Sequence, residues 1–195
     1  MLAKLTRDPS LTLSVLGLGA LTLLVSRRRT SRLDRRWSAR VGNGKPLAAG
    51  VSRAAKPTTG FVETVVVAAL PRLRRPERLM TLAAPLLSGL VGHALKRMVP
   101  RRRPGWAALT ANGNQSFPST HAAHAAALAF TAAKVAREHG AGAWADAAAA
   151  GTVAIMAFAR LRARAHWPTD VLAGALLGLA SARVADDVTR PSSSP

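Results

Sequence analysis

The sequence predicts an all-α polytopic membrane bundle of about five or six helices. Three observations predict it. The mean hydropathy is positive, +0.13, although the formal net charge is +19. Apolar residues must therefore be gathered into runs that exclude the charges. Those runs are joined by short basic turns bearing proline and glycine, and none alternates with the period of a half-buried strand. Aromatic residues make up only 4% of the chain while alanine and glycine abound, a composition suited to close helix packing in lipid. A length of 195 residues fits one domain.

Residues 1–8 form a basic lead. The first membrane helix is residues 9–26, Pro9 to Ser26, an uncharged run close to the ~20 apolar residues that a span needs. Arg27-Arg28-Arg29 follows it at once, in place of the small-residue cleavage site of a signal peptide. Residues 27–57 are a basic connector in which one surface helix is expected, Leu47 to Ala55. The core is residues 58–185. Phe61 to Leu70 is the apolar part of a second span starting near Pro57, and Pro71 to Arg78 is a basic turn. Leu79 to Leu95 is a third run, whose one ionisable group is His93. Lys96 to Pro104 ends it with two prolines and a cluster of arginines. After a loop at 105–116, Pro118 to Ala133 is the fourth run, with Pro118 expected to open its helix. Ala143 to Ala159 is the fifth run, and Arg160 to Asp170 a charged connector. Val171 to Ala182 is the sixth run, and residues 186–195 are expected to be a disordered tail.

Composition also excludes chemistry. With no cysteine there is no disulfide, thiolate zinc site or cysteine nucleophile. The charge admits either nucleic acid or membranes and phosphorylated substrates as partners. The arginines cluster at the ends of apolar runs and form no continuous basic arm, which favours the membrane and argues against nucleic acid. Nothing in the sequence sets an oligomeric state.

Three charged clusters lie at run ends, where ionisable groups are costly and point to function. The first is Lys96, six residues, then Arg103-Pro104. Arginine offers a planar fork and lysine a mobile point charge for phosphate oxygens, although a basic loop beside a membrane needs no ligand to explain it. The second is Pro118-Ser119-Thr120-His121, with His124 one turn on. Ser119 and Thr120 suit a helix start whose N–H groups meet an anion, and His121 is a proton carrier in that first turn. Two histidines three apart also suit a metal, but no carboxylate or cysteine stands near them in sequence, so none is expected. The third is Arg160, five residues, His166, three residues, Asp170. A carboxylate holding one imidazole nitrogen leaves the other as base or nucleophile. An acid at Asp170 also suits a helix first turn on dipole grounds alone.

Taken together and in this order, the clusters resemble the type 2 phosphatidic acid phosphatase (PAP2) family, which shares its site with vanadium-dependent haloperoxidases. The family pattern is Lys, six residues, Arg-Pro; Pro-Ser-Gly-His; and Ser-Arg, five residues, His, three residues, Asp. All three spacings match between Lys96 and Asp170. Thr120 stands at the glycine position and Ala159 at the serine preceding Arg160. The resemblance implies a PAP2-like helical bundle and a phosphatase that hydrolyses a lipid phosphate monoester or diphosphate with no metal or other cofactor. It implies His166 as nucleophile forming a phosphohistidine, Asp170 orienting it, and His121 protonating the leaving oxygen. Lys96, Arg103, Ser119, Thr120 and Arg160 would hold the phosphoryl oxygens. The implied partners are the bilayer and a lipid such as phosphatidate, phosphatidylglycerol phosphate or a polyprenyl phosphate. The implied location is the plasma membrane, with the site facing the periplasm or exterior.

Overall fold

The computed structural model describes residues 8–41, 64–70, 72–104 and 115–190. Six helices account for most of them: α1 (Pro9–Ser26), α2 (Ser31–Val41), α3 (Arg75–Met98), α4 (Thr120–Glu138), α5 (Trp144–Arg162) and α6 (Pro168–Thr189). Residues 64–68 are also helical, and no strand occurs among the described residues. Among the described residues, three helices are long and apolar enough to cross a membrane: α1, α3 and α5, with mean hydropathies of 1.7, 1.3 and 1.2.

Local chemistry explains the helix ends. Asp8 caps α1 by accepting from the Ser10 N–H at 2.8 Å, and Glu77 folds back on α3 to accept from the Arg74 N–H at 2.6 Å. The first run has its expected limits. Helices α3 to α6 each run past the C-terminal end of their apolar stretch, to Met98, Glu138, Arg162 and Thr189.

Two expectations are corrected, and a third falls outside the described residues. Helix α4 starts at Thr120, not at Pro118: Ser119 is its cap, with Oγ accepting from the Ala122 N–H at 3.4 Å, and the Phe117–Pro118 peptide bond before it is cis. The basic connector does contain a helix, but it is α2, well before Leu47 to Ala55, which lies outside the described residues. Residues 186–189, expected to belong to a disordered tail, are helical. Helix α6 runs to Thr189 because Asp186 and Arg190 find partners on α4.

The packing is inside-out relative to a protein folded in water. On α3, Leu79, Leu82, Leu86 and Leu90 form an exposed stripe, while Thr81, Ala84, Ser88 and Gly92 are buried. Exposing a leucine to water forfeits about 1.5–3 kcal/mol, so such a belt suits a lipid-facing surface. Inside, small residues let backbones touch. Gly174 and Gly178, one turn apart on α6, lie against Ala122, Ala123, Ala126 and Ala127 of α4. A Cβ at Gly174 would collide with the Ser119 carbonyl oxygen, and one at Gly178 with that of Ala123.

Helices α1, α3 and α5 run towards one end of the bundle, and α4 and α6 start there. The opposite end is closed by His139 to Glu77 at 3.2 Å, Lys134 to Asp186 and Glu138 at 3.3 Å each, and Arg190 to Glu138.

Candidate active site

The converging ends bring all three charged clusters together. Lys96 lies in the last turn of α3, and its Nζ donates to the carbonyls of Pro118 (2.7 Å) and Gln115 (3.3 Å). Past Met98 the chain turns extended at Pro100. Residues 101–103 then pair with the segment entering α4: the Ser116 N–H donates to the Arg101 carbonyl at 2.7 Å, and an isolated antiparallel bridge joins Arg102 to Gln115. This pairing lays Arg103 across the end of α5. Its Nη1 donates to the Ala165 carbonyl at 3.0 Å and lies 3.1 Å from His166 Nε2.

Arg160, in the last turn of α5, is 5% exposed. Arg164 then adopts φ 51°, a left-handed turn that returns the chain inward and buries His166 to 1% exposure. His166 Nδ1 lies 2.8 Å from the Ser116 carbonyl. A guanidinium only donates and a carbonyl only accepts, so both neighbours assign one tautomer: hydrogen on Nδ1, lone pair on Nε2.

Asp170 opens α6 fully buried. Its Oδ2 accepts from the Trp167 N–H at 2.8 Å, capping its own helix, and its Oδ1 accepts from Arg101 at 2.5 Å. The distance from Oδ2 to His166 Nδ1 is 3.8 Å, too long for a hydrogen bond. The expected direct hold of Asp170 on the ring is thus replaced by the Ser116 carbonyl, and Asp170 acts on the ring through its charge.

Burial pushes the His166 pKa down from 6.5 to about 4. Asp170 opposes that fall, and Arg160 and Arg103 add to it. The ring is therefore neutral at pH 7, with its Nε2 lone pair accepting from Arg103. Burial also lowers the Arg103 pKa, against the pull of Asp170. Lys96, Arg103 and Arg160 lie within electrostatic reach of one another, a concentration of like charge that favours an anion between them.

The α4 start meets the α6 start where the Ser119 N–H donates to the Asp170 carbonyl at 2.9 Å. That corrects a second expectation: the Ser119 N–H is committed to Asp170, leaving Thr120 and His121 as the first residues whose N–H groups head the helix. The Thr120 methyl is accommodated by Gly92 of α3, where a Cβ would stand 3.2 Å away. His124 is 3.3 Å from the Thr64 hydroxyl and belongs to helix packing. Among the described residues no three His, Cys, Asp or Glu side chains are grouped to hold a metal ion.

Sequence reasoning missed Ser116 and Arg101, and with them Thr169 and Asp34, which both contact Arg101. Ser116 acts through its backbone, and Arg101 is one of three consecutive arginines, so neither announces itself. Asp34 carried a signal, as the one carboxylate between residues 27 and 57.

A family model described as "PAP2 superfamily" matches residues 78–189, more than half the chain and every site residue named above from Lys96 to Asp170. No curated protein matches the chain in sequence. Two solved structures share its fold. One is a transmembrane PAP2-type phosphatidylglycerolphosphate phosphatase from Bacillus subtilis, 21% identical, with TM-score 0.72 over 90% of this chain and 96% of that one. The other is Aquifex aeolicus LpxE, 21% identical, with TM-score 0.54 over 85% of this chain and 92% of that one.

Proposed function

The chain belongs to the PAP2 superfamily, and from that premise we propose that it is a membrane phosphatase that hydrolyses a lipid phosphate monoester or diphosphate through a phosphohistidine on His166. The observation that carries this reading is the aim of the His166 ring. Nε2 points its lone pair at Arg103, 3.1 Å away, while Nδ1 is tied to Ser116. A phosphoryl group drawn to Arg103, Arg160 and Lys96 would meet that lone pair.

In the first step Nε2 attacks phosphorus. The P–N bond forms as the bond to the lipid oxygen breaks, and His121 gives its proton to that oxygen. The ring keeps its Nδ1 hydrogen and becomes cationic, facing the Ser116 carbonyl and the Asp170 carboxylate. In the second step water loses a proton to His121 and attacks phosphorus. The P–N bond breaks, releasing phosphate and neutral His166. Thr120 and His121 N–H groups, with the three cations, bind the phosphoryl oxygens.

A lipid substrate is supported by an apolar groove of about 460 Å³ between α1 and α3, lined by Leu18, Leu23, Val91 and Leu95 among others. Its lining includes Ser26 and Leu95, near the ends of α1 and α3 that lie on the site side of the bundle. Phosphatidate, phosphatidylglycerol phosphate and polyprenyl phosphates share this chemistry. We place the site on the outer face of the plasma membrane.

The test is phosphate release from a panel of these lipids in detergent micelles. Wild type is expected to turn over at least one of them and to be insensitive to EDTA, and His166→Ala to be inactive. Wild-type turnover by His166→Ala would refute the mechanism.

A further inference from the structure

Asp34 is fully buried, although it sits on the otherwise arginine-rich α2. One of its oxygens accepts from the Thr169 N–H at 3.1 Å and lies 3.0 Å from the Thr169 hydroxyl. The other pairs with Nη2 of Arg101. Nη1 of Arg101 reaches the Thr169 hydroxyl at 2.7 Å and Asp170 at 2.5 Å, and its guanidinium lies 5.5 Å from the Trp167 ring centre. Two buried carboxylates thus share one guanidinium, and the second carboxylate is the one behind His166.

Burying a carboxylate is costly, and a lone ion pair between Arg101 and Asp170 would already be neutral. That neutral pair would leave little field for a cationic ring. With Asp34 present, the Asp34–Arg101–Asp170 group carries one net negative charge. We propose that Asp34 is a positioning residue for phosphoryl transfer: it draws off one arm of Arg101, so that Asp170 keeps an effective charge towards His166 when the ring becomes cationic. This inference rests on the phosphohistidine reading above. Arg103 and Arg160 also face the ring, but the bound phosphoryl group answers their charge, whereas the ring cation is answered from the Asp170 side.

The charge count makes a prediction that a purely structural role does not. Asp34→Asn leaves the group neutral. Asp34→Asn combined with Arg101→Gln restores one net negative charge while removing more of the hydrogen bonds. Two readouts are taken on the detergent-solubilised full-length chain: kcat and KM on dioctanoyl phosphatidate, and the dissociation constant of orthovanadate, which needs no turnover.

Asp34→Asn is expected to lower kcat and weaken orthovanadate roughly ten-fold, the effect of about one pKa unit of lost charge interaction, with KM little changed. The double variant is expected to regain most of both losses. Wild-type kcat and orthovanadate affinity in Asp34→Asn would overturn the proposal, and so would a double variant no better than the single one. If Asp34→Asn does not fold, Arg101→Gln alone decides: its extra negative charge should tighten orthovanadate, and weakening would overturn the proposal. Activity surviving in His166→Ala would instead sink the underlying mechanism, whatever the Asp34 variants do.

Discussion

Gly174 is where fold and site meet, and replacing it by alanine tests that link. A single methyl is added, but it lands on the Ser119 carbonyl oxygen, 3.1 Å from Ala122 Cβ and 3.2 Å from the Ala123 nitrogen. Two of the three obstacles are backbone atoms and the third is a Cβ, so no flexible side chain can swing away. The starts of α4 and α6 must part by on the order of 1 Å to regain ordinary contact distances. Overpacking of this kind costs about 1–3 kcal/mol. The functional loss should be larger, because the same movement stretches the tie from the Ser119 N–H to the Asp170 carbonyl and displaces His121 relative to His166. A misplacement of about 1 Å can cost roughly 100-fold in rate. Phosphate release and thermal unfolding should be measured together, with Gly89→Ala and Gly151→Ala as controls, since a Cβ at either meets nothing within 4 Å. The controls should unfold at or above the wild-type temperature and keep full turnover. Wild-type turnover in Gly174→Ala would refute the claim that the α4–α6 approach sets the site.

Three further outcomes are expected. His166 is held neutral by burial, so histidine-labelled protein followed by NMR should show its ring titrating near 4, and a midpoint at 6 or above would contradict the burial argument. The sign for stability follows: between pH 6.5 and 4 the unfolded chain binds more protons than the folded one, so this contribution is present in full above pH 6.5 and lost as pH falls towards 4. Arg103→Ala removes a fixed donor beside Nε2 and should cut turnover by an amount equivalent to about 2.7–4 kcal/mol, with Arg103→Lys recovering part of it as a point charge without the fork. The chain has no cysteine, so Arg35→Cys on α2 at the site end and Gly142→Cys at the opposite end can each be probed with an impermeant thiol reagent on intact cells. An outward-facing site requires labelling of the first and protection of the second, and the reverse pattern would place the site inside.

Much of this was legible from residue order. Uncharged runs marked the helices, because hydrocarbon excludes charge and the pattern is written into composition. Lys96, Arg103, His121, Arg160, His166 and Asp170 stood out as candidates because charge is costly beside a span and because their spacing is specific. Helix limits were less legible: polar residues continue α3 and α6 beyond their apolar runs, and only partners such as Glu138 for Arg190 show how far.

What the tertiary structure alone decided is who holds whom. The sequence offered Asp170 as the partner of His166, yet the Ser116 carbonyl takes Nδ1 and Arg101 takes Asp170. It offered the Ser119 N–H to phosphate, yet Asp170 claims it. It presented Asp34 as one acid in a basic connector, yet the fold buries it against Arg101 and Thr169. The physical reason is common to all three. Side-chain type and spacing are local and can be read along the chain, but carbonyl direction and hydrogen-bond partnership depend on how closely separate helices approach. Here that approach is set by Gly174 and Gly178 against the alanines of α4.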